Sequence, residues 1–330
     1  MDFEQLDQLT QDRLKFLDNN YSPLIDYHLN KEEKIYLGNK ENRVCRFCGR
    51  DSTATTFRNI SHALPEFIGN KRLFAYYECD ACNSKFSGTL ENDMANYTKL
   101  WHTLAQIKGK KGIPTTVSNQ KKSRIEVGKD AVNIQEHEGD AISTTDEKKR
   151  TITLEAARGA FTPVAVYKCL TKMALTIMPE EELSNFQVAL DWINETNHES
   201  SSINPASLYA LLSTAPGPHP LGFLSCMLFK RKENALTKVP YMLFLVAYSN
   251  FIWQIHLPFT PKDDELTGQR VEFVFIPTPI DMIEGAQTIS RQRIDLNGKQ
   301  LVKGEKARMT MGYEAKIQVD LTEGVSEAAD

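Results

Sequence analysis

Two Cys-x-x-Cys pairs, Cys45-Arg-Phe-Cys48 and Cys79-Asp-Ala-Cys82, constrain this chain more than any other feature. Four thiolates so spaced can hold a tetrahedral Zn2+ at about 2.3 Å each, and four sulfur ligands leave no position open for chemistry. The expected zinc, held by Cys45, Cys48, Cys79 and Cys82, is therefore structural. Four unrelated buried cysteines are the alternative, and the Gly49 that follows the first pair argues against it. Cys169 lies in an apolar helical stretch and Cys226 in a strand pattern, so both are expected in the core.

Composition narrows the class. The chain has 330 residues, 41% hydrophobic and 25% charged, with a formal charge of −4, the profile of a globular protein with chain enough for two domains. Its most apolar stretch, Tyr241–Leu257, is interrupted by Ser249, Asn250, Gln254 and His256 below the ~20 residues a spanning helix needs, so no membrane association is expected. The polar start MDFEQLDQLTQD is unlike a signal peptide, and six cysteines are too few for a disulfide scaffold; a cytoplasmic protein is expected.

Periodicity divides the chain into three parts. Residues 1–43 read as an N-terminal helical arm, with Phe3, Leu6, Leu9, Leu14 and Leu17 at loosely helical spacing and a stop at Asn19-Asn20 and Pro23. Residues 44–110 hold the cysteines. Residues 111–330 are expected to form a mixed α+β domain with antiparallel strands. There Lys108–Lys129 reads as a basic linker leading into short strands at Ser123–Gly128, Ala131–Gln135 and Arg150–Leu154. Thr162–Met178 reads as a buried helix and Phe186–Ile193 as another. Strands follow at Gly222–Phe229, Tyr241–Tyr248, Phe251–Pro258 and Val271–Ile276, with a two-residue turn at Ser249-Asn250. The apolar hairpin is expected in a buried sheet or at a dimer face, and the acidic tail from Asp320 is expected to fray.

The segment between the cysteine pairs carries the chemistry. Thr55–Ile60 reads as a strand delivering Ser61-His62. Pro65 and Gly69-Asn70 turn the chain, Leu73–Tyr77 returns as a second strand, and Cys79–Ile107 is expected to be helical. In that order, a histidine facing a helix-held divalent ion can address one phosphodiester from two sides. The imidazole takes a proton from water, and the metal stabilises charge on the phosphorane and the leaving oxygen.

CRFCG…SHALPEFIGN…ECDACNSKFSGTLE resembles the HNH endonuclease family, in the subgroup whose zinc knuckle flanks a ββα-metal core; the likeness covers residues 43–92. It implies an α+β fold with a ββα-metal core, an endonuclease activity, His62 as general base, and Asn83 as ligand to a catalytic Mg2+ or Mn2+. Many members carry Asp before the histidine where this chain has Ser61, so another carboxylate is needed. Glu91 is the first candidate, eight residues beyond Asn83 on an unbroken helix, with Glu66 and Glu78 as alternatives. Asn70 is the candidate for the middle Asn. The resemblance also implies a bacterial defence-type nuclease whose C-terminal domain regulates or oligomerises it through an activating ligand or partner protein.

Charge supports a nucleic-acid partner. Residues 43–72 hold Arg43, Arg46, Arg50, Arg58, Lys71 and Arg72 against two acids, and Lys108, Lys110, Lys111, Lys121, Lys122 and Arg124 form a second basic run. Such clusters neutralise phosphates without reading bases, which implies weakly sequence-specific DNA binding. Two other readings stay open: a zinc-stabilised nucleic-acid-binding module with a degenerate centre, and an RNA-directed nuclease. A homodimer would bring two sites together.

Overall fold

The computed structural model describes residues 6–29, 33–128, 131–200, 207–217, 219–235, 238–267, 269, 271, 273–282 and 289–319. Helix α1 (Gln8–Asn20) starts where the Asp7 carboxylate accepts the Thr10 N–H at 3.0 Å and runs straight into β1 (Tyr21–His28), followed by β2 (Ile35–Leu37). The central segment contributes β3 (Ser61–His62), β4 (Leu73–Ala75), α2 (Asp80–Gly88) and α3 (Leu90–Leu104). Five short strands follow: β5 (Thr116–Val117), β6 (Arg124–Val127), β7 (Val132–Gln135), β8 (Ser143–Asp146) and β9 (Thr151–Ala157). Helices α4 (Pro163–Ile177), α5 (Glu180–Leu183) and α6 (Gln187–Asn194) precede β10 (Tyr209–Thr214), β11 (Leu221–Arg231), β12 (Met242–Ser249), β13 (Phe251–His256), β14 (Ser290–Asp295) and β15 (Lys306–Gly312). The fold is mixed α+β with antiparallel sheets, as expected.

Among the described residues the largest sheet has the order β1-β11-β12-β13-β10-β14. Its central hairpin turns at Ser249-Asn250, with Tyr248 opposite Phe251 and Ser249 in the left-handed region at φ 52°. The run MLFLVAY is apolar without alternation because both faces of β12 are covered, one by α4 and α6 and the other by Val274, Ile276, Ile280 and Ile289. The hairpin is therefore interior, and it offers no dimer face. The tail from Asp320 lies outside the described residues.

Three expectations are corrected by pairing. The first 43 residues are not only a helical arm, because β1 pairs antiparallel with β11 at the edge of the large sheet and β2 pairs parallel with β4. Pro23 stops the helix and is tolerated because β1 is an edge strand with a bulge between Pro23 and Ile25. Residues 271–276 form no strand among those described. Instead Gln254 of β13 grips Ile276 twice through its side-chain amide, at 2.8 and 3.0 Å, and His256 Nε2 accepts the Val274 N–H. A third expectation, the strand at Thr55–Ile60, gives way to a loop described below.

Helix α4 is buried along its whole length, from Val164 to Ile177. Pro163 suits its first turn, where a missing N–H costs nothing. One continuous apolar cluster joins α4 to Cys45, Phe47, Phe86, Leu90 and Met94 around the cysteine pairs and to Phe244 and Trp253 of the large sheet. Among the described residues no helix is long and apolar enough to cross a membrane.

Candidate active site

The two cysteine pairs meet. Their sulfur atoms all lie within 4.8 Å of one another, and Cys48 and Cys79 are 3.8 Å apart. That is the edge of a tetrahedron of sulfurs about 2.3 Å from a central Zn2+. The first pair sits on a tight turn closed by Gly49 N–H to Cys45 O at 2.8 Å, with Gly49 at φ 69°, a conformation glycine takes without strain. The second pair opens α2, where Cys79 Sγ accepts the Cys82 N–H and Cys45 Sγ accepts the Cys79 N–H, each at 3.5 Å. A hydrogen bond from the Cys82 thiol is the main reason the Cys45 thiol is pushed down to about 4, toward the thiolate a metal takes. The donor set thus fits a closed structural metal such as zinc.

Between the pairs, β3 is only two residues long. Residues 55–60 loop because Asp80, in the first turn of α2, gathers them. Its carboxylate accepts the Thr56 hydroxyl at 2.6 Å and the N–H groups of Arg58 and Asn59 at 2.9 and 3.0 Å. Desolvation raises the Asp80 carboxyl, but these hydrogen bonds outweigh it and hold it at about 2. Backbone donors spent on a side chain are not free for a strand. Asn70 clamps the following turn, donating to the carbonyls of Leu64 and Leu73 and accepting the N–H groups of Arg72 and Leu73, all within 2.7–3.1 Å.

His62 stands opposite Phe74 in the β3–β4 pair, its ring centroid 4.8 Å from the Phe74 ring. Its side chain is 30% exposed, Nε2 lies 3.9 Å from Glu66 Oε2, and Nδ1 is buried without a partner among the described residues. Burial lowers its pKa below the usual value, opposed chiefly by the Glu66 carboxylate, so the ring is neutral at neutral pH. Ser61 is buried and donates its hydroxyl to the Glu78 carbonyl at 3.4 Å.

The expected single helix from Cys79 breaks at Thr89, whose backbone (φ −120°, ψ −92°) ends α2 and starts α3 while its hydroxyl bonds Lys85 O at 2.7 Å. Asn83 and Glu91 therefore lie on different helices. Asn83 is half-buried, and its amide has no hydrogen-bond partner among the described residues. Glu91 Oε1 is 3.2 Å from Lys172 Nζ, which also lies 3.1 Å from Glu78 Oε2. Lys172 comes from α4, is 1% exposed, and lies 5.8 Å from the Phe47 ring and 5.7 Å from the Phe86 ring. The charges of Glu91 and Lys172 both reach His62. The sequence reading missed Lys172 by treating the helix as plain core; two lysines, Lys168 and Lys172, four apart in an apolar helix were the available signal.

The basic set also changes. Arg46 is 6% exposed, and its Nη1 donates to the carbonyls of Leu175, Thr176 and Met178 at the end of α4, each at 2.8 Å. Its guanidinium serves the unpaired carbonyls of a helix terminus and is not available to phosphate. Arg72 is half-buried, donating to Leu29 O at 3.3 Å. Arg50, Arg58 and Lys71 are exposed, as are Lys108, Lys110, Lys111, Lys121, Lys122 and Arg124.

Residues 45–97 match the HNH endonuclease family, from the first cysteine of the knuckle into α3. The four-cysteine cluster within this matched segment is consistent with an HNH endonuclease domain of the zinc-knuckle type. No curated protein and no solved structure matches the chain.

Proposed function

We propose that this protein, which carries an HNH endonuclease domain at residues 45–97, is a metal-dependent endonuclease that hydrolyses phosphodiester bonds in DNA with His62 as general base. The observation that carries this reading is the half-exposed, neutral imidazole on a strand end held in place by the knuckle and the Asn70 clamp. His62 takes a proton from the attacking water as the water oxygen bonds phosphorus. The Glu66 carboxylate, 3.9 Å from Nε2, then stabilises the imidazolium. Asn83, with its amide unpaired, and Glu91, sharing its carboxylate with Lys172, would hold a Mg2+ or Mn2+ ion. When bound, that ion supplies positive charge to the scissile phosphate and the departing oxygen.

Arg50, Arg58 and Lys71 remain as exposed phosphate contacts, a set that favours grip over base readout. The insertion of Lys172 and the anchoring of Arg46 on α4 support control of the head by residues 111–330, because any shift of α4 must disturb both. One observation favours a degenerate binding module instead: the residue in the metal-binding Asp position, Ser61, is buried and engaged.

Cleavage of supercoiled plasmid with Mg2+ or Mn2+, by wild type and His62→Ala, decides between them once both are shown to retain their zinc. Metal-dependent nicking lost in the variant is the expected result. Cutting that is equal in both proteins removes His62 from the mechanism, and binding without cutting favours the module.

A further inference from the structure

The three-stranded sheet β2-β4-β3 buries one face and shows the other. Leu73 and Ala75 of β4 point inward and are 0% and 1% exposed, while Phe74 and Tyr76 alternate outward. Register aligns Tyr36 of β2 with Phe74 in the parallel pair, and Phe74 with His62 in the antiparallel pair. Tyr36, Phe74 and His62 therefore form one row across the outer face. The Tyr36 ring stacks on Phe74 and on Tyr76, each at 5.3 Å with interplanar angles of 20° and 15°, and its residue is 41% exposed. Lys34 Nζ lies over the Phe74 ring at 5.6 Å, and Arg43 Cζ lies over the Tyr76 ring at 5.1 Å while its guanidinium donates to the carbonyls of Lys40 and Phe57.

We propose that the Tyr36–Phe74–Tyr76 face is a stacking platform for unpaired nucleobases of a strand whose phosphate is presented to His62. The inference rests on His62 being the hydrolytic centre, and it deepens that reading by naming the form of the substrate. The inner face already supplies the core, so folding does not require rings on the outer one. Every base has a π-face, so stacking on aromatic rings is sequence-tolerant, and the exposed Lys34 supplies a positive charge for a phosphate beside them. In a duplex the base faces are covered by their neighbours, and only an unpaired strand can offer them. Neighbouring strands lie about 4.8 Å apart, which puts Tyr36 roughly 10 Å from His62, within the reach of a short stretch of extended strand. Strand β2, which carries Tyr36, precedes the residues that match the family, whereas Phe74 and Tyr76 lie within them.

Binding is measured with the full-length protein, without added divalent ion, to a short fluorescent oligothymidylate and to a blunt duplex of equal length. Tyr36→Leu is expected to weaken single-strand binding by about tenfold or more, the loss of one base stack, while duplex binding changes less than about twofold. Tyr36→Trp keeps the wild-type preference. Equal weakening on both probes, or none on the single strand, overturns the proposal. A 2-aminopurine-labelled strand gives a second measurement free of folding effects: its fluorescence is quenched on binding wild type, and absence of quenching overturns the platform. Oligouridylate is run alongside; either polymer bound through Tyr36 supports the platform, and the tighter one names the strand. Cleavage is scored separately. A protein that binds strands through Tyr36 but cuts nothing keeps the platform and loses the hydrolytic reading, whereas cutting that ignores Tyr36 on strand and duplex alike does the reverse.

Discussion

Lys172 Nζ on α4 lies 3.2 Å from Glu91 Oε1 on α3, in an interior where the lysine side chain is 1% exposed. The same ammonium is 3.1 Å from Glu78 Oε2, so one cation from the C-terminal part of the chain balances two carboxylates of the HNH domain. Burial penalises the ammonium, but the two carboxylates outweigh it and keep Lys172 charged, while burial pushes the fully enclosed Glu78 carboxyl up to about 7. Lys172→Met should destabilise the protein by about 3–5 kcal/mol, because it leaves carboxylates buried without a counter-charge. Lys172→Met with Glu78→Gln should recover part of that loss. Urea denaturation of the two variants checks it, and a double variant no more stable than the single one would refute the charge explanation.

Arg46 and Arg58 separate the two uses of a basic residue. Arg46→Ala removes three hydrogen bonds to the end of α4 and should lower stability by roughly 2–3 kcal/mol without changing DNA affinity in the folded protein. Arg58→Ala should leave stability within about 0.5 kcal/mol and reduce the dependence of log K on log salt by roughly one. Denaturation curves and binding at graded salt read both effects.

Metal removal should unfold more than the knuckle. The sulfur cluster lies in the same apolar core as α4 and the large sheet, so stripping it with a strong chelator, or Cys48→Ser, should lower the unfolding temperature of the whole chain. Elemental analysis should give about one zinc per chain in wild type. A full stoichiometry in Cys48→Ser would be fatal to the site.

Acid should destabilise the fold through His102. Burial pushes this imidazole down to about 3, with Nε2 3.1 Å from the Tyr248 hydroxyl. Its unfolded pKa is about 6.5, so the unfolded chain takes up the proton first as pH falls. The stabilisation is complete above about 6.5 and is lost as pH drops toward 3, by roughly 5 kcal/mol in all. His102→Phe should flatten the stability–pH curve across that window, and an unchanged slope would rule His102 out as the cause.

The His62 ring titrates low because it is desolvated, so the acid limb of kcat/KM should lie below the ordinary histidine value of about 6.5. Glu66→Gln removes the charge that most favours the imidazolium and should move the limb further down. A limb that rises, or stays fixed, would mean that a different group is being titrated.

Features written in adjacent residues were legible in the sequence. The Cys-x-x-Cys spacing, the placement of His62 before the Gly69-Asn70 turn, the all-buried helix Pro163–Ile177 and the Ser249-Asn250 hairpin each depend on local spacing, turn chemistry or hydrophobic period. What the tertiary structure decided are the groups whose partners are distant. Lys172 and Glu91 are 81 residues apart, and Arg46 and Leu175 are 129 apart. Composition could mark Arg46 as basic, but only packing against the end of α4 made it a helix cap instead of a phosphate ligand. The loop at 55–60 and the parallel strand β2 follow the same rule. Each has an ambiguous local pattern, and each is settled by where its backbone donors find acceptors, on Asp80 in one case and beside β4 in the other.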